Sequence, residues 1–306
     1  MAGLPDEDLT RLDLSQRTRR VRWQVGPLDG PAIVQAARER GSARVFVVVN
    51  TVARAQALAQ EIANLVGWEQ AIALHARFYP ADRRAQEERL KQWMGRNPAP
   101  AADGAPRFLI ATQVVEAGLD ISSDLMFTEW APANALVQRW GRCARWGGHG
   151  DVIVAPPPED TLHATGLPYP YAITPSQRET LAATREWLMA HGQDGVLMDA
   201  AIERALLGHA HDAVDEAWVS RLSDLLRDRA HHAGKTIQDG VYSNAGDLIR
   251  RVNNRTLLIH KEPECIEQPW SYEGFSLPVG TLSGFLKRAA GDSTSADEDD
   301  EGEIAI

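Results

Sequence analysis

The sequence is poor in cysteine and in long apolar runs, and both absences exclude whole classes of protein. Its 306 residues include two cysteines, Cys143 and Cys265. Two are too few, and these lie too far apart, for a disulfide framework or a zinc site. No apolar run approaches the roughly 20 residues that span a bilayer, and the first residues lack the apolar region of a secretory signal. We therefore expect a cytoplasmic protein without membrane contact.

The sequence also lacks an overall excess of basic charge. It has 32 lysines and arginines against 42 aspartates and glutamates, a formal net charge of −10. Seven of the acids lie in residues 292–303, which contain no base, a composition typical of a solvated, disordered end. Residues 131–150, by contrast, contain Arg139, Arg142 and Arg145 and no acid. The overall charge therefore says little about partners, and the local charge says more.

Apolar runs that alternate with amphipathic stretches indicate an α/β fold. The run RVFVVVN at 44–50 is typical of a strand buried on both faces of a parallel sheet. The predicted strands are 20–25, 44–50, 71–75, 107–112, 124–128 and 151–155, and the predicted helices are 31–40, 53–66, 80–94 and 133–140. This order favours a parallel sheet with right-handed crossovers. Residues 176–230 are predicted to be helical, and 255–260 a short strand.

Polar side chains follow two of the predicted strands at the edge where open α/β sheets bind ligands. Asn50 and Thr51 end one strand, and Thr112 and Gln113 end another. Thr112 and Gln113 offer neutral donors of the kind that hold a nucleic-acid phosphate or sugar without reading sequence. Gly118 allows a close backbone approach, and Asp120 can accept hydrogen bonds from a ribose hydroxyl.

A pair of arginines ends the predicted helix 133–140. Arg142 and Arg145 lie three residues apart, on one face if the turn stays helical. Two planar, permanently charged guanidinium groups suit a polyphosphate whose negative charge grows during phosphoryl transfer. We therefore expect these two residues to act catalytically, as arginine fingers. Cys143, between them, is expected to be a small packed residue and not a nucleophile.

Together these residues resemble motifs IV, V and VI of superfamily-2 helicases. The segments are VVNTV at 48–52, ATQVVEAGLDIS at 111–122 and LVQRWGRCARWG at 136–147. They are similar to the versions found in the CRISPR-associated helicase of type I systems, as is LHARF at 74–78. The resemblance implies a second RecA-like domain, P-loop NTPase-like in fold, with a mainly helical accessory region after it.

The resemblance also implies roles for individual residues. Those expected to face ATP are Gly118, Asp120, Arg142 and Arg145. Those expected to face single-stranded nucleic acid, most simply DNA, are Asn50, Thr51, His75, Arg77, Thr112 and Gln113. Gln138 is expected to link the two sites. The implied cofactor is ATP with Mg²⁺, and the implied partners are a CRISPR surveillance complex and an HD nuclease.

The first half of a helicase is missing from the 306 residues. They contain neither a phosphate-cradling GxxxxGK[ST] loop nor a Mg²⁺-binding DExH-type motif. Gly234 begins a GKT, but the residue five places before it is Arg229, and DEAW at 215–218 follows motif VI in the wrong order. The ligands for Mg²⁺ are therefore expected from a first RecA-like domain that is missing or on another chain.

These observations predict four parts, and they leave two other functions open. The parts are a polar lead-in at 1–19, the RecA-like domain at 20–160, the accessory region at 161–288 and the acidic tail at 289–306. One alternative is a pseudo-helicase scaffold without catalysis. The other is an HD-type nuclease subunit, prompted by His209, His211 and Asp212, although Asp215 and Glu216 make a solvated helix face the stronger interpretation of these residues.

Overall fold

The structure of the chain is a computed structural model. It describes residues 17–100, 104–116, 119–162, 166–168, 170–171, 174–217, 219, 254–257 and 275–278. The chain divides into two compact units, residues 1–214 and 215–306. In the second unit the described residues include a two-stranded antiparallel sheet.

The first unit alternates strands and helices along the chain. Its strands are β1 (Arg17–Trp23), β2 (Arg44–Val48), β3 (Ala71–Leu74), β4 (Arg107–Ala111), β5 (Leu125–Glu129), β6 (Gly148–Ala155) and β7 (Val196–Met198). Its helices are α1 (Gly30–Glu39), α2 (Val52–Val66), α3 (Pro80–Met94), α4 (Ala133–Trp140) and α5 (Pro175–His191), and residues 200–214 are also helical. The strands of the second unit are β8 (Asn254–Leu257) and β9 (Phe275–Pro278).

The seven strands of the first unit form one sheet in the order β3-β4-β2-β5-β6-β1-β7. Every neighbouring pair is parallel except β1 and β7, which are antiparallel. The predicted α/β class with a mostly parallel sheet is therefore confirmed.

Two apolar layers enclose the sheet, because successive side chains of a buried strand point to opposite faces. One layer contains Val45 and Val47 of β2 with the buried stripe of α2, including Leu58. The other contains Phe46 and Val48 with buried residues of α3, α4 and α5. Both faces of the central strands are covered, and this explains why β2 is apolar throughout.

Near one end of the sheet the structure adds detail to two expectations. The predicted lead-in 1–19 overlaps β1, which begins at Arg17. Arg19 is buried in that strand, where its Nη1 donates to the carbonyl of Trp140 at 3.1 Å and lies 3.3 Å from a carboxylate oxygen of Glu203. Within residues 176–230, which were predicted to be helical, residues 196–198 form β7, which pairs with β1. The predicted helix beyond 217 and the acidic tail lie outside the described residues, apart from position 219.

Among the described residues, no helix is both long and apolar enough to cross a membrane.

The packing of α2 gives a prediction with an internal control. Leu58 is fully buried and Leu65 is 48% exposed on the same helix. We expect Leu58→Ala to lower the free energy of unfolding by about 2–5 kcal/mol, because it leaves a cavity in the core. Leu65→Ala should change it by no more than about 0.5 kcal/mol. Urea unfolding followed by circular dichroism measures both, and equal effects would contradict this packing.

Candidate functional site at the carboxyl edge of the sheet

The carboxyl ends of β2, β4 and β5 meet at one edge of the sheet, as their registers require. Val48 lies opposite Ala111 on one side and Thr128 on the other. This register brings together the residues that follow two of these strands. They are Asn50 and Thr51 after β2, and Thr112 and Gln113 after β4. This edge contains most of the residues that the sequence predicted for ligands.

Asn50 lies at this edge, but its side chain faces inward. The residue is 4% exposed. Its Nδ2 donates to the carbonyl of Trp130 at 2.8 Å, and its Oδ1 accepts from Nη2 of Arg139 at 3.1 Å. Its backbone N–H donates to Oε2 of Glu129 at 2.8 Å. That Asn50 contacts a nucleic-acid strand stays a prediction, and in the structure its side-chain amide bonds to Trp130 and Arg139 inside the protein.

Thr51 and Gln113 are both partly exposed. Thr51 is the N-cap of α2, where its hydroxyl accepts from the backbone N–H of Arg54 at 3.2 Å. Nε2 of Gln113 donates to the carbonyl of Asn50 at 3.3 Å. These two side chains remain accessible at the edge. Thr112, by contrast, is 2% exposed.

His75 and Arg77 follow β3 at the same edge. His75 is 4% exposed, and its ring stacks on Phe78 with centroids 4.4 Å apart. Its Nδ1 accepts from the backbone N–H of Arg77 at 3.2 Å. Burial, together with the charge of Arg77, lowers the pKa of His75, so the ring is neutral at pH 7. Arg77 is partly exposed and is the residue of this pair that reaches solvent.

Arg142 is hydrogen-bonded to residues 111–122, the segment that resembles motif V. The residue is 8% exposed, and it donates to the backbone carbonyls of Glu116, at 2.9 Å, and Leu119. Burial lowers the pKa of Arg142, and the neighbouring Arg145 lowers it further. The guanidinium is therefore directed at the turn between β4 and β5.

Arg145 is more accessible and is already paired with an anion. Its Nε donates to Oδ1 of Asp120 at 2.9 Å, with exposed side-chain fractions of 37% and 69%. Its backbone N–H donates to Ser122 Oγ at 3.0 Å. Gln138 is exposed on α4. Gly118 lies outside the described residues.

Arg139, which the sequence analysis did not select, is the most enclosed charge at this edge. Its side chain is fully buried, and it uses all five N–H donors of an arginine. Nε donates to Glu116 Oε1 at 2.9 Å. The other acceptors, at 2.8–3.1 Å, are Thr128 Oγ1 and the Glu129 carbonyl for Nη1, and Asn50 Oδ1 and the Tyr171 hydroxyl for Nη2.

The signal for Arg139 was present in the helical spacing. Leu136 and Trp140, which lie three residues before and one after it, are both fully buried, so position 139 lies on the buried face of α4. Glu129 completes the network from β5, where its Oε1 lies 3.4 Å from Nε of Arg54. Burial raises the pKa of Glu129, and the bonds from Asn50 and Arg54 oppose that rise.

Two other sequence motifs are located by the structure. Burial raises the pKa of the Cys143 thiol to about 12, which is the state of a packed residue and not of a nucleophile. His209, His211 and Asp212 lie in the helical residues 200–214. Among the described residues, no group of three or more His, Cys, Asp or Glu side chains could hold a metal ion. The GKT at 234–236 lies outside that part of the chain.

The sequence of this chain is similar to a known family of proteins. Residues 41–147 match the family model described as CRISPR-associated nuclease/helicase Cas3, C-terminal. The CRISPR-associated endonuclease/helicase Cas3 of Escherichia coli is 38% identical over 110 residues, 36% of this chain and 12% of that protein. The nuclease/helicase Cas3 of Streptococcus thermophilus is 35% identical over 101 residues, 33% of this chain and 11% of that protein.

Solved structures agree on the fold. The crystal structure of T. fusca Cas3 superposes with a TM-score of 0.52 at 21% identity, covering 72% of this chain and 26% of that one. The T. fusca Cas3-ATP structure gives 0.50 at 20% identity, covering 71% and 27%. The chain thus spans about a tenth to a quarter of the length of the proteins that it matches. Residues 41–147 are therefore similar to the C-terminal part of the CRISPR-associated nuclease/helicase Cas3, and the fold agrees with that of solved Cas3 structures.

Proposed function

We propose that this chain is the second RecA-like half of an ATP-dependent helicase or translocase that acts on single-stranded DNA in type I CRISPR interference. The observation that supports it best is that two features lie on one segment, residues 112–124, which runs from the carboxyl end of β4 to the start of β5. Arg142 and Arg145 contact the turn after β4, and the same turn begins with Gln113, which bonds the end of β2. The residues proposed to face ATP and those proposed to face DNA are thus separated by only a few positions along this segment.

On the nucleotide side, the residues present fit an anionic ligand. Arg145 already binds a carboxylate with a partly exposed guanidinium, so it can bind a phosphate oxygen in the same way once Asp120 is displaced. Asp120, freed from that pair, can accept hydrogen bonds from a ribose hydroxyl. Bound ATP would supply the phosphoryl group that is transferred to water. Arg142 would stabilise its developing charge after leaving the carbonyls of residues 116 and 119.

The remainder of the nucleotide site has to come from elsewhere. The 306 residues contain no GxxxxGK[ST] loop and no DExH motif, so the phosphate cradle and the Mg²⁺ ligands belong to a first RecA-like domain. A cleft between the two domains would hold ATP, and closure of that cleft would move the DNA by one step. The names of the relatives include nuclease as well as helicase, which supports an HD nuclease as a further partner. A CRISPR surveillance complex is also a proposed partner.

On the side proposed to bind single-stranded DNA, the partly exposed residues at the carboxyl edge of the sheet would contact the DNA. Thr51, Arg77 and Gln113 would hold the phosphates and sugars, contacts that position a strand without reading its sequence. Asn50, His75 and Thr112 are buried and would act by supporting that surface. Gln138 is exposed on α4 and remains a proposed link between the two sites.

The strand contact can be tested on the chain alone. We expect Arg77→Ala to weaken binding of a fluorescein-labelled oligo-dT, measured by anisotropy, and to reduce the slope of log K against log [salt] by about 0.7, the value for one phosphate contact on a single strand. The matched control is Arg20→Ala, which removes the same charge from an exposed arginine beside Asp124 and Asp151, near the opposite ends of the strands. Equal effects of the two substitutions would argue for non-specific attraction and against this edge.

The nucleotide role predicts two results. The chain alone should release phosphate from ATP at the background rate, because its sequence lacks the loop and the Mg²⁺ ligands. In complex with a polypeptide that carries both motifs, Arg142→Ala and Arg145→Ala should each lower kcat by about 10³-fold, the effect of losing an arginine finger. A phosphate-release assay measures both. Robust Arg142-dependent hydrolysis by the chain alone, or full activity of both variants in the complex, would contradict the proposal, and the latter result is expected of a scaffold.

A further inference from the structure

Two bonded paths leave the buried guanidinium of Arg139. One runs through Asn50, whose side chain accepts from Arg139 and whose carbonyl accepts from Gln113. This path ends at the proposed DNA-binding surface, next to Thr51. The other runs through Glu116, whose carboxylate accepts from Arg139 and whose carbonyl accepts from Arg142. This path ends at the proposed nucleotide side.

We infer that Arg139 is a positioning residue that sets the strand-binding edge and the Arg142 guanidinium together. The inference rests on the proposed function and adds to it a residue that touches neither ligand. Arg139 cannot contact DNA, because its side chain has no exposed surface. Any effect of Arg139 on DNA binding must therefore pass through the residues that it holds.

The chemistry of the side chain explains why an arginine is needed here. A guanidinium presents five N–H donors in one plane, and the structure supplies five acceptors for them. A lysine keeps the positive charge opposite Glu116 but has three donors on a compact head group. Arg139→Lys therefore leaves at least two acceptors without a partner and releases some of the segments that Arg139 joins. The substitution therefore keeps the positive charge at position 139 and removes the planar arrangement of five donors, so the two contributions can be told apart.

The experiment compares DNA affinity with its salt dependence in the folded chain. We expect Arg139→Lys to weaken binding of labelled oligo-dT about tenfold, the range found for residues that couple sites. The slope of log K against log [salt] should stay unchanged, because no phosphate contact is removed. The control Arg44→Lys alters another arginine of the sheet, which pairs with Asp124 at the start of β2, and should leave the affinity unchanged.

Each outcome has one interpretation. If the wild-type chain does not bind the oligonucleotide, the proposed function fails, and the inference fails with it. If the wild type binds and folded Arg139→Lys binds equally tightly, the inference alone fails. A reduced salt slope would show a direct phosphate contact and would also overturn it. If Arg139→Lys does not fold, Tyr171→Phe removes a single acceptor of the same guanidinium. That variant should weaken binding about threefold, and unchanged affinity would overturn the inference.

Discussion

A single buried cation, the guanidinium of Arg139, joins the segments at the carboxyl edge of this sheet. Placing a guanidinium in the protein interior costs free energy unless every donor is bonded and the charge is balanced. Arg139 meets both conditions, with five acceptors and the carboxylate of Glu116. The acceptors come from the end of β2, the turn after β4, the end of β5 and residue 171, so the cation fixes these four segments relative to α4. The orientation of the edge thus depends on one side chain.

This constraint divides the polar residues of the edge into two groups. Asn50 and Thr112 lie beneath the surface, where Asn50 bonds the carbonyl of Trp130, whereas Thr51 and Gln113 reach solvent. Arg142 and Arg145 are divided in a similar way, since the first is bonded to backbone carbonyls and the second to an exposed carboxylate. Residues that share a motif therefore differ in what they can touch.

Much of this arrangement was predictable from the sequence, and the remainder was not, for physical reasons. β2 is a β-branched run that was recognisable as a buried strand, and α3 begins at Pro80 as predicted. β7 was missed because it has three residues and depends on pairing with β1, about 175 positions earlier. The burial of Arg139 was missed because an arginine is normally exposed, and its five acceptors come from segments far apart in the chain. The direction of Arg142 depends on carbonyl positions, which spacing does not specify.

The order of the strands has a consequence for how this domain can be cut. Recognition by family rests on residues 41–147, yet β6 begins at residue 148 and its neighbour β1 ends at residue 23. A piece trimmed to the recognisable segment would lose both strands and expose the apolar edge of β5 along its whole length. Unpaired edges of this kind join other chains. The segment that reveals the ancestry of the molecule is thus shorter than the segment needed to pair both sides of β5.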